Sequence, residues 1–268
     1  MKHYDFLKKL KESRFLLAPL ISITDPSISE MIASIGPDFL IADMEHSAIG
    51  INDLQNIQMA AKPLEVVARI RGLEKNEIKK VLDTGVAGII IPGIETVEET
   101  AEAVGYSKVP PLGVRGVGPG RASGYGYAFS NYVKEANKQV VIIQIETKKA
   151  LDNLSEILSV PGIDGCFIGP VDLTTALGTD FSWTNQLFLS AVDKILTESR
   201  ARGLVTGIYF PLANGNPEPI IARGFNFIMY GTDREAIQLE YRNSLDSFRS
   251  KSNALTLGTD LMRQVRGR

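Results

Sequence analysis

The 268-residue sequence predicts an α/β fold, a single-domain (β/α)₈ TIM barrel, on three observations. First, eight short apolar runs alternate with helical patterns along the chain. Second, five of these runs follow a helical pattern that ends at Gly, the residue that most easily takes the left-handed conformation after a helix. Third, the runs are apolar almost throughout, as expected of parallel strands that are buried on both faces.

Eight strand–helix units without a long linker favour a closed barrel over an open doubly wound sheet, because both ends of the chain look like full members of the set. Apolar residues at helical spacing predict helices at 74–84, 148–159 and 184–202. The eight candidate strands are residues 15–23, 39–43, 66–70, 88–92, 140–146, 165–169, 204–209 and 225–230.

The barrel domain is expected to occupy residues 1–250, and a tail at 251–268 is expected to form a terminal helix or to be disordered. One irregular region, residues 105–139, contains seven Gly and three Pro. Its Gly-rich part, 113–126, has two arginines but lacks the Lys-Ser/Thr of a phosphate-binding P-loop. We therefore interpret this segment as a flexible lid over the mouth of the barrel.

Composition excludes several classes of function. The formal net charge is −2, so no overall positive field indicates a nucleic acid or an anionic membrane as partner. No apolar run approaches the roughly 18 residues of a transmembrane helix, and the N-terminal segment lacks the pattern of a signal peptide. The single cysteine, Cys166, excludes an intramolecular disulfide and is compatible with a reducing cytoplasm, which is the expected location.

The clearest concentration of polar residues follows the second candidate strand, in the stretch IADMEH. In a barrel of this type the active site lies at the carboxyl ends of the strands. Asp43 could orient the imidazole of His46, which would then act as a base. The alternative is that Asp43 caps a helix and that His46 is an ordinary surface residue.

Two carboxylates, Glu146 and Asp172, follow the fifth and sixth candidate strands. Side chains on neighbouring strand ends can share one hard divalent cation, with water or substrate oxygens completing its coordination. Gln144 points to the same side as Glu146, because side chains repeat every two residues along a strand. The alternative is that both acids cap the helices that follow them.

Arg69 lies inside the otherwise apolar run VVARI. An unpaired guanidinium is too costly to bury, so Arg69 needs either a carboxylate partner or an anionic ligand. The sequence leaves both open. No lysine lies at a strand end where it could form a Schiff base, which argues against an aldolase of the lysine-dependent class.

Six stretches of the chain, in order, are DFLIADMEHSAIGINDLQ, VVARI, VLDTGVAGIIIPGIET, PPLGVRGVG, VVIIQIETKKALDNLSEIL and GIDGCFIGPVDLTTALG. Together they resemble the HpcH/HpaI family of class II, metal-dependent pyruvate aldolases, whose members include 4-hydroxy-2-oxoheptanedioate aldolase and 2-dehydro-3-deoxyglucarate aldolase. The resemblance covers roughly residues 14–250. It implies a TIM barrel that assembles as a homo-oligomer, a hexamer or trimer of dimers, with exchanged C-terminal helices.

The resemblance also implies a site. Glu146 and Asp172 would hold Mg²⁺ or Mn²⁺, with Co²⁺ or Zn²⁺ as further candidates. His46 would be the catalytic histidine oriented by Asp43, and Asp83 of a neighbouring subunit would support it. The residues expected to contact substrate are Arg69, which would hold the enolate oxygen of pyruvate, and Gln144, Gly169, Val171 and Asp172.

The implied activity is the retro-aldol cleavage of a 4-hydroxy-2-oxo acid to pyruvate and an aldehyde, and the reverse reaction. Two departures from the family pattern, Met44 for Gly and Val171 for Ala, leave the metal and enolate residues intact but leave the second substrate open. One alternative is a carbon–carbon bond-forming synthase or an oxaloacetate decarboxylase that uses the same pyruvate enolate. The other is a barrel without catalysis that binds a small acid.

Overall fold

The computed structural model describes residues 4–13 and 15–266 of the chain. Its eight strands are all parallel and close into a barrel in sequence order. This confirms the predicted fold class, and each strand lies within two residues of its predicted bounds. The strands are β1 (Leu16–Ile21), β2 (Leu40–Asp43), β3 (Val66–Arg69), β4 (Gly88–Ile91), β5 (Val140–Ile145), β6 (Gly165–Ile168), β7 (Val205–Phe210) and β8 (Phe227–Thr232).

Helices surround the barrel and connect its strands. They are α1 (Tyr4–Glu12), α2 (Pro26–Ile35), α3 (Ile51–Ala60), α4 (Lys75–Asp83), α5 (Val97–Ser107), α6 (Phe129–Glu135), α7 (Lys148–Asp152), α8 (Leu154–Ile157), α9 (Pro170–Ala176), α10 (Gln186–Ala201), α11 (Glu218–Ile221) and α12 (Asp233–Arg266).

Two of the predicted segments differ from the structure in extent. The predicted helix at 148–159 is divided at Asn153, whose backbone leaves the helical range and whose side-chain amide donates to the carbonyl of Glu95 at 2.9 Å. The predicted boundary at residue 250 falls inside α12, so the described part of the 251–268 tail continues that helix. Residues 267 and 268 lie outside the described residues.

The interior of the barrel is filled by large aromatic side chains. The ring of Phe227 stacks on Phe167 with centroids 5.9 Å apart, and Phe39 meets Phe227 edge to face at 5.8 Å. From α1, Phe6 and Leu10 join the same cluster and cover the amino-terminal end of the barrel. A second apolar layer lies between the strands and the helices. The interior of the barrel is therefore a packed core and not a pore.

The Gly-rich segment 113–126 does not cover the mouth of its own barrel, so the predicted lid is wrong. The segment packs at the turn after α4, which leads into β4 from its amino end. Arg121 anchors it there, because Nη1 donates to the carbonyl of Thr84 at 2.7 Å and to Oε1 of Gln58 at 2.6 Å. A Cβ on Gly120 would lie 3.1 Å from the carbonyl oxygen of Asp83, so the two backbones approach closely.

Within the residues described, no helix has the length and apolar character needed to cross a bilayer. Helix α12 is the longest at 34 residues, and charged side chains interrupt it throughout.

Two glycine substitutions should change stability in opposite directions. Gly207 lies opposite Phe227 in the β7–β8 register, and a Cβ there would approach the ring to 2.1 Å. We expect Gly207→Ala to overpack the core and lower the free energy of unfolding by roughly 1–3 kcal/mol. Gly105→Ala, inside α5 with open space around its Cβ position, should raise it by about 0.5–1 kcal/mol.

Denaturant unfolding followed by circular dichroism measures both variants under the same conditions. Because the chemical change is the same single methyl group, each variant is the control for the other. Equal shifts in the same direction would show that Gly207 is not a packing constraint.

Candidate active site

A cavity of about 410 Å³ opens at the carboxyl ends of the strands. Residues at or just after the carboxyl ends of six of the eight strands contribute to its wall, as expected where parallel strands end on one rim. The sequence-predicted residues Asp43, His46, Arg69 and Asp172 are brought together there. The complete wall consists of Leu20, Ser22, Asp43, His46, Arg69, Phe167, Gly169, Pro170, Val171, Asp172, Tyr209, Thr232 and Arg234.

Asp43 and Arg69 form a buried, two-pronged ion pair at this rim. The parallel register places them side by side at the ends of β2 and β3. Arg69 Nε donates to Asp43 Oδ1 at 3.0 Å, and Nη2 lies 2.9 Å from Oδ2. The two residues are only 3% and 9% exposed. The carboxylate partner that Arg69 requires is therefore Asp43, while Nη1 has no described hydrogen-bond partner.

The predicted contact between Asp43 and the His46 ring is wrong in this chain. Besides Arg69, Asp43 Oδ1 accepts the backbone N–H groups of Glu45 and His46 at 3.1 and 3.3 Å, so it caps the turn after β2. The acid nearest the ring is Glu45, whose Oε2 lies 3.7 Å from His46 Nε2. The imidazole side chain is 64% exposed and faces the cavity.

Glu45 lies between the histidine and the buried arginine. Its Oε2 is 3.3 Å from Arg69 Nε, without the alignment of a hydrogen bond. Burial raises the pKa of the Glu45 carboxyl above its ordinary value, and the nearby positive charge of Arg69 and the His46 ring oppose that rise. The IADMEH stretch did indicate this acid, but sequence reasoning assigned the orienting position to Asp43 instead.

Glu146 is held at the end of β5 by two donors. The backbone N–H of Gly93 donates to Oε1 at 2.9 Å, and the side-chain amide of Gln144 donates to Oε2. The predicted common side of Gln144 and Glu146 is thereby confirmed. A Cβ on Gly169 would lie 3.1 Å from Glu146 Oε2, so only glycine leaves the space before this oxygen open. Each carboxylate oxygen keeps a lone pair for a further ligand.

Asp172 stands in the first turn of α9, three residues after Gly169. It lines the cavity and forms no hydrogen bond or ion pair with any side chain in the described ranges. Val171 is 51% exposed beside it. The first N–H groups of a helix have no partner within the helix, so the start of α9 also offers donors to the cavity.

These residues fit a hard divalent cation. Across residues 4–13 and 15–266, no three His, Cys, Asp or Glu side chains are grouped as a metal site. Mg²⁺ needs no such group, since it binds through one or two carboxylates and keeps water or substrate oxygens for its other positions. Glu146, oriented by two donors, and Asp172, with no described partner, are carboxylates of the kind that such a site requires.

Asp83 lies outside this cavity in its own chain. It is the last residue of α4, and its Oδ1 accepts a hydrogen bond of 3.4 Å from the hydroxyl of Tyr132. Burial raises the pKa of the Asp83 carboxyl, and the nearby positive charge of Arg115 opposes that rise. The structure therefore does not bring Asp83 to His46 within one subunit, and its action from a neighbouring subunit stays a prediction.

Sequence reasoning missed the wall formed by Ser22, Thr232 and Arg234. These residues follow β1 and β8, the pair of strands that closes the barrel. Asp233, between Thr232 and Arg234, is buried, and its carboxylate accepts from Ser22 N and Ile23 N at 2.8 Å. It joins the ends of the two strands. No sequence signal distinguishes the exposed Arg234 beside it from any other charge in the first turn of a helix.

The chain is similar to known proteins over nearly its whole length. The family model described as HpcH/HpaI aldolase/citrate lyase matches residues 20–238. A 2-keto-3-deoxy-L-rhamnonate aldolase of Klebsiella pneumoniae subsp. pneumoniae is 35% identical over 237 residues, which cover 87% of this chain and 88% of that protein.

Solved structures agree. An HpcH/HpaI aldolase/citrate lyase family protein from Burkholderia cenocepacia J2315 has a TM-score of 0.85 at 28% identity and covers 92% of this chain and 99% of its own. The citrate synthase SbnG has a TM-score of 0.81 at 26% identity, with coverages of 94% and 99%. The chain therefore belongs to the HpcH/HpaI aldolase/citrate lyase family of enzymes, as its sequence motifs predict.

Proposed function

We propose that this enzyme cleaves a 4-hydroxy-2-oxo acid to pyruvate and an aldehyde, and catalyses the reverse condensation, with a divalent cation as cofactor. The observation that carries the proposal is the arrangement around Gly169, which lines one cavity wall with Asp172, Arg69 and His46 and whose Cβ position lies 3.1 Å from Glu146 Oε2. The relative named for 2-keto-3-deoxy-L-rhamnonate supports an oxo-acid substrate of this type.

Arg69 is the residue that would bear the developing charge. In the cleavage, the bond between C3 and C4 breaks and its electron pair passes into the pyruvate fragment, where it is shared with the keto oxygen. A fixed guanidinium in a largely buried site stabilises such an oxyanion more strongly than water does. Because Asp43 holds Nε and Nη2 of Arg69, Nη1 is the atom left to donate to that oxygen.

His46 would remove the proton of the 4-hydroxyl group as the aldehyde forms, and would return it in the condensation. Its ring faces the cavity and is exposed, as a base that must reach substrate requires. Glu45 rather than Asp43 is placed to stabilise the protonated ring. The pyruvate fragment is completed by protonation at C3, so the reaction needs no external oxidant or reductant.

Glu146 and Asp172 would hold the cation, and Gln144 and the Gly93 N–H would keep Glu146 in position. When bound, a divalent cation supplies a Lewis acid for the oxygens of a 2-oxo acid. Mg²⁺ or Mn²⁺ fits a site with two carboxylates and no imidazole or thiolate ligand better than Zn²⁺ or Co²⁺ does.

A second candidate is a carbon–carbon bond-forming synthase that uses the same pyruvate-type enolate with a different partner. The structural similarity to the citrate synthase SbnG favours it. The two candidates differ in the electrophile alone, so a screen of aldehydes and of oxaloacetate separates them.

We also infer a homo-oligomer. Helix α12 exposes the apolar side chains Ile237, Tyr241, Leu245 and Phe248, which recur on one face at helical spacing. An exposed stripe of this kind marks a protein–protein contact more often than free surface. In such an assembly, Asp83 of one subunit would be able to lie at the cavity of another subunit. The single thiol, Cys166, is fully buried, and a cytoplasmic location stays a prediction.

Removal of the cation should abolish cleavage. We expect EDTA to stop pyruvate release from a 4-hydroxy-2-oxo acid, and Mg²⁺ or Mn²⁺ to restore it. Gln144→Leu removes a residue that orients a ligand, so it should weaken Mn²⁺ binding by roughly 10- to 100-fold. Glu146→Gln and Asp172→Asn change the ligands themselves, and each should weaken Mn²⁺ binding by more than that. Free Mn²⁺ measured by electron paramagnetic resonance gives the binding independently of activity.

The matched control is Asp152→Asn, an exposed acid at the end of α7 that should leave Mn²⁺ binding unchanged. Full activity in the presence of chelator, or equal Mn²⁺ affinity in all four variants, would refute the cation site.

Breaking the buried ion pair should lower both the free energy of unfolding and the turnover, and a second substitution should restore only the first. Arg69→Gln leaves Asp43 buried without its partner, so we expect the free energy of unfolding to fall by roughly 3–5 kcal/mol. The double variant Asp43→Asn/Arg69→Gln removes both charges and should recover most of that loss. Both variants should turn over substrate roughly 10²- to 10³-fold more slowly than the wild type, because both lack the donor that stabilises the developing charge. Denaturant unfolding and steady-state kinetics test the two parts, and recovered turnover in the double variant would contradict the role of Arg69.

Substitution on the apolar face of α12 should dissociate the assembly. We expect the wild type to sediment as a multiple of its 29.3 kDa chain, and Leu245→Glu/Phe248→Glu to shift toward smaller species, because two charges would then be buried in the contact. Asn243→Glu, on the opposite face of the helix, is the control. A wild type that sediments as a single chain would disprove the oligomer.

A further inference from the structure

The turn that contains His46 is held at its start by the carboxylate of Asp43 and at its end by a different residue. After His46 the chain passes through the exposed Ala48 to Ile49, whose side chain is fully buried in the apolar layer between the strands and the helices. The carbonyl of Ile49 accepts a hydrogen bond of 2.8 Å from Nη2 of Arg71. His46 therefore lies between two fixed points, Asp43 before it and the contact of Ile49 with Arg71 after it.

Arg71 is itself held by helix α4. Its Nη1 donates to Oε1 of Glu77 at 2.6 Å, and the Glu77 side chain is only 16% exposed. Glu77 lies in the first turn of α4, where its backbone N–H donates to the carboxylate of Glu74 at the N-cap at 2.7 Å. The buried side chains of Ile78 and Val81 pack α4 against the barrel. The guanidinium thus connects the end of the His46 turn to a helix that is packed on the barrel.

The imidazole ring of His46 is not fixed directly by any hydrogen bond among the described residues. Its side chain is 64% exposed, and the nearest acid is Glu45, 3.7 Å away. The hydroxyl of Ser47 donates to the carbonyl of Asp43 and accepts the N–H of Ile49 at 3.1 Å. These internal hydrogen bonds fix the shape of the turn, so the orientation of the turn on the barrel depends on its two ends.

From this arrangement we infer that Arg71 is a positioning residue for His46, which holds the end of the turn through the carbonyl of Ile49 and so places the imidazole at the cavity. The inference rests on the proposed function, in which His46 accepts the proton of the 4-hydroxyl group, and it adds a residue on which that step depends. A general base acts only within hydrogen-bond reach of its proton, and a displacement of about 1 Å can lower a rate by roughly 100-fold.

Arg71 is placed to orient the turn rather than to bind substrate. It is absent from the wall of the 410 Å³ cavity and lines a smaller hollow of about 240 Å³, together with Glu45 and Glu146. Its two terminal nitrogens both have acceptors within the protein, whereas Nη1 of Arg69 has no described hydrogen-bond partner. A substrate that bound Arg71 would have to compete with these acceptors.

The test is a double-mutant cycle on the full-length enzyme with Mg²⁺, and the assay is pyruvate release from 4-hydroxy-2-oxopentanoate. We expect Arg71→Gln to lower kcat by roughly 10- to 100-fold and to leave KM nearly unchanged, because the substrate contacts are intact. In the His46→Ala background the same substitution should change kcat by less than about twofold, because the histidine through which it acts is absent. Arg71→Lys keeps the charge without the planar fork and should retain part of the rate.

Oxaloacetate provides a second readout, because its decarboxylation forms the same pyruvate enolate without a hydroxyl proton to remove. The bond between C3 and the C4 carboxylate breaks, CO₂ leaves, and the electron pair passes into the enolate, which is then protonated at C3. Arg71→Gln should therefore leave the decarboxylation rate at the wild-type value. An equal loss of rate in cleavage and in decarboxylation would show general damage to the site and would overturn the inference.

Arg202→Gln is the matched control, since Arg202 makes contacts of the same kind elsewhere on the barrel. Its Nη1 lies 3.4 Å from Oε2 of Glu198 in α10, and its Nη2 donates to the carbonyl of Ser155 at 3.2 Å. It does not line the cavity, so kcat should stay at the wild-type value. Circular dichroism melting confirms that each variant is folded, and Arg71→Lys replaces Arg71→Gln in the cycle if the latter does not fold.

The outcomes separate the role of Arg71 from the proposed function. A rise in KM with kcat unchanged would make Arg71 a substrate-binding residue and overturn the inference, and so would equal effects of Arg71→Gln in the two backgrounds. A wild type that cleaves the acid, with an unchanged rate in Arg71→Gln, overturns the role of Arg71 alone. A wild type that releases no pyruvate from the acid overturns the proposed function itself.

Discussion

The ion pair between Asp43 and Arg69 is the constraint on which the mouth of the barrel depends. Both charges are almost fully buried, and a buried charge is tolerated only beside a partner of good geometry. The register of β2 against β3 supplies that geometry, because it sets the two residues side by side. The same Asp43 carboxylate caps the turn that contains Glu45 and His46, so the Asp43–Arg69 ion pair also fixes the position of the histidine.

The strands could be predicted because burial on both faces makes their sequences apolar, and the strand ends then identified Asp43, His46, Arg69 and Asp172 as neighbours. The pairing inside that group could not be predicted. Which acid meets Arg69 depends on the register between two strands, and neither strand contains that information alone. The position of the Gly-rich segment could not be predicted either. Its composition predicts an irregular path, but it does not show at which end of the barrel the segment lies.

The two ends of the barrel differ in the kind of contact that their residues make. At the amino end, Phe6 and Leu10 of α1 close the core, and Arg121 fixes the Gly-rich segment through backbone contacts. These contacts contribute to stability. At the carboxyl end, Asp172 and Arg234 are exposed, and the Asp172 carboxylate and the outer nitrogens of Arg234 have no described partner in the protein, so they are available to water or a ligand.

The two arginines of the cavity differ in what their replacement would do to the fold. Loss of Arg69 leaves a buried carboxylate without a partner, so the residue is constrained by stability as well as by chemistry. Loss of Arg234 leaves no buried charge, because its side chain is exposed and its described contact is to the carbonyl of Ser22. Replacement of Arg234 should therefore cost the barrel less stability than replacement of Arg69. On one side of the cavity the charge is therefore fixed by the stability of the fold, and on the other side it is not.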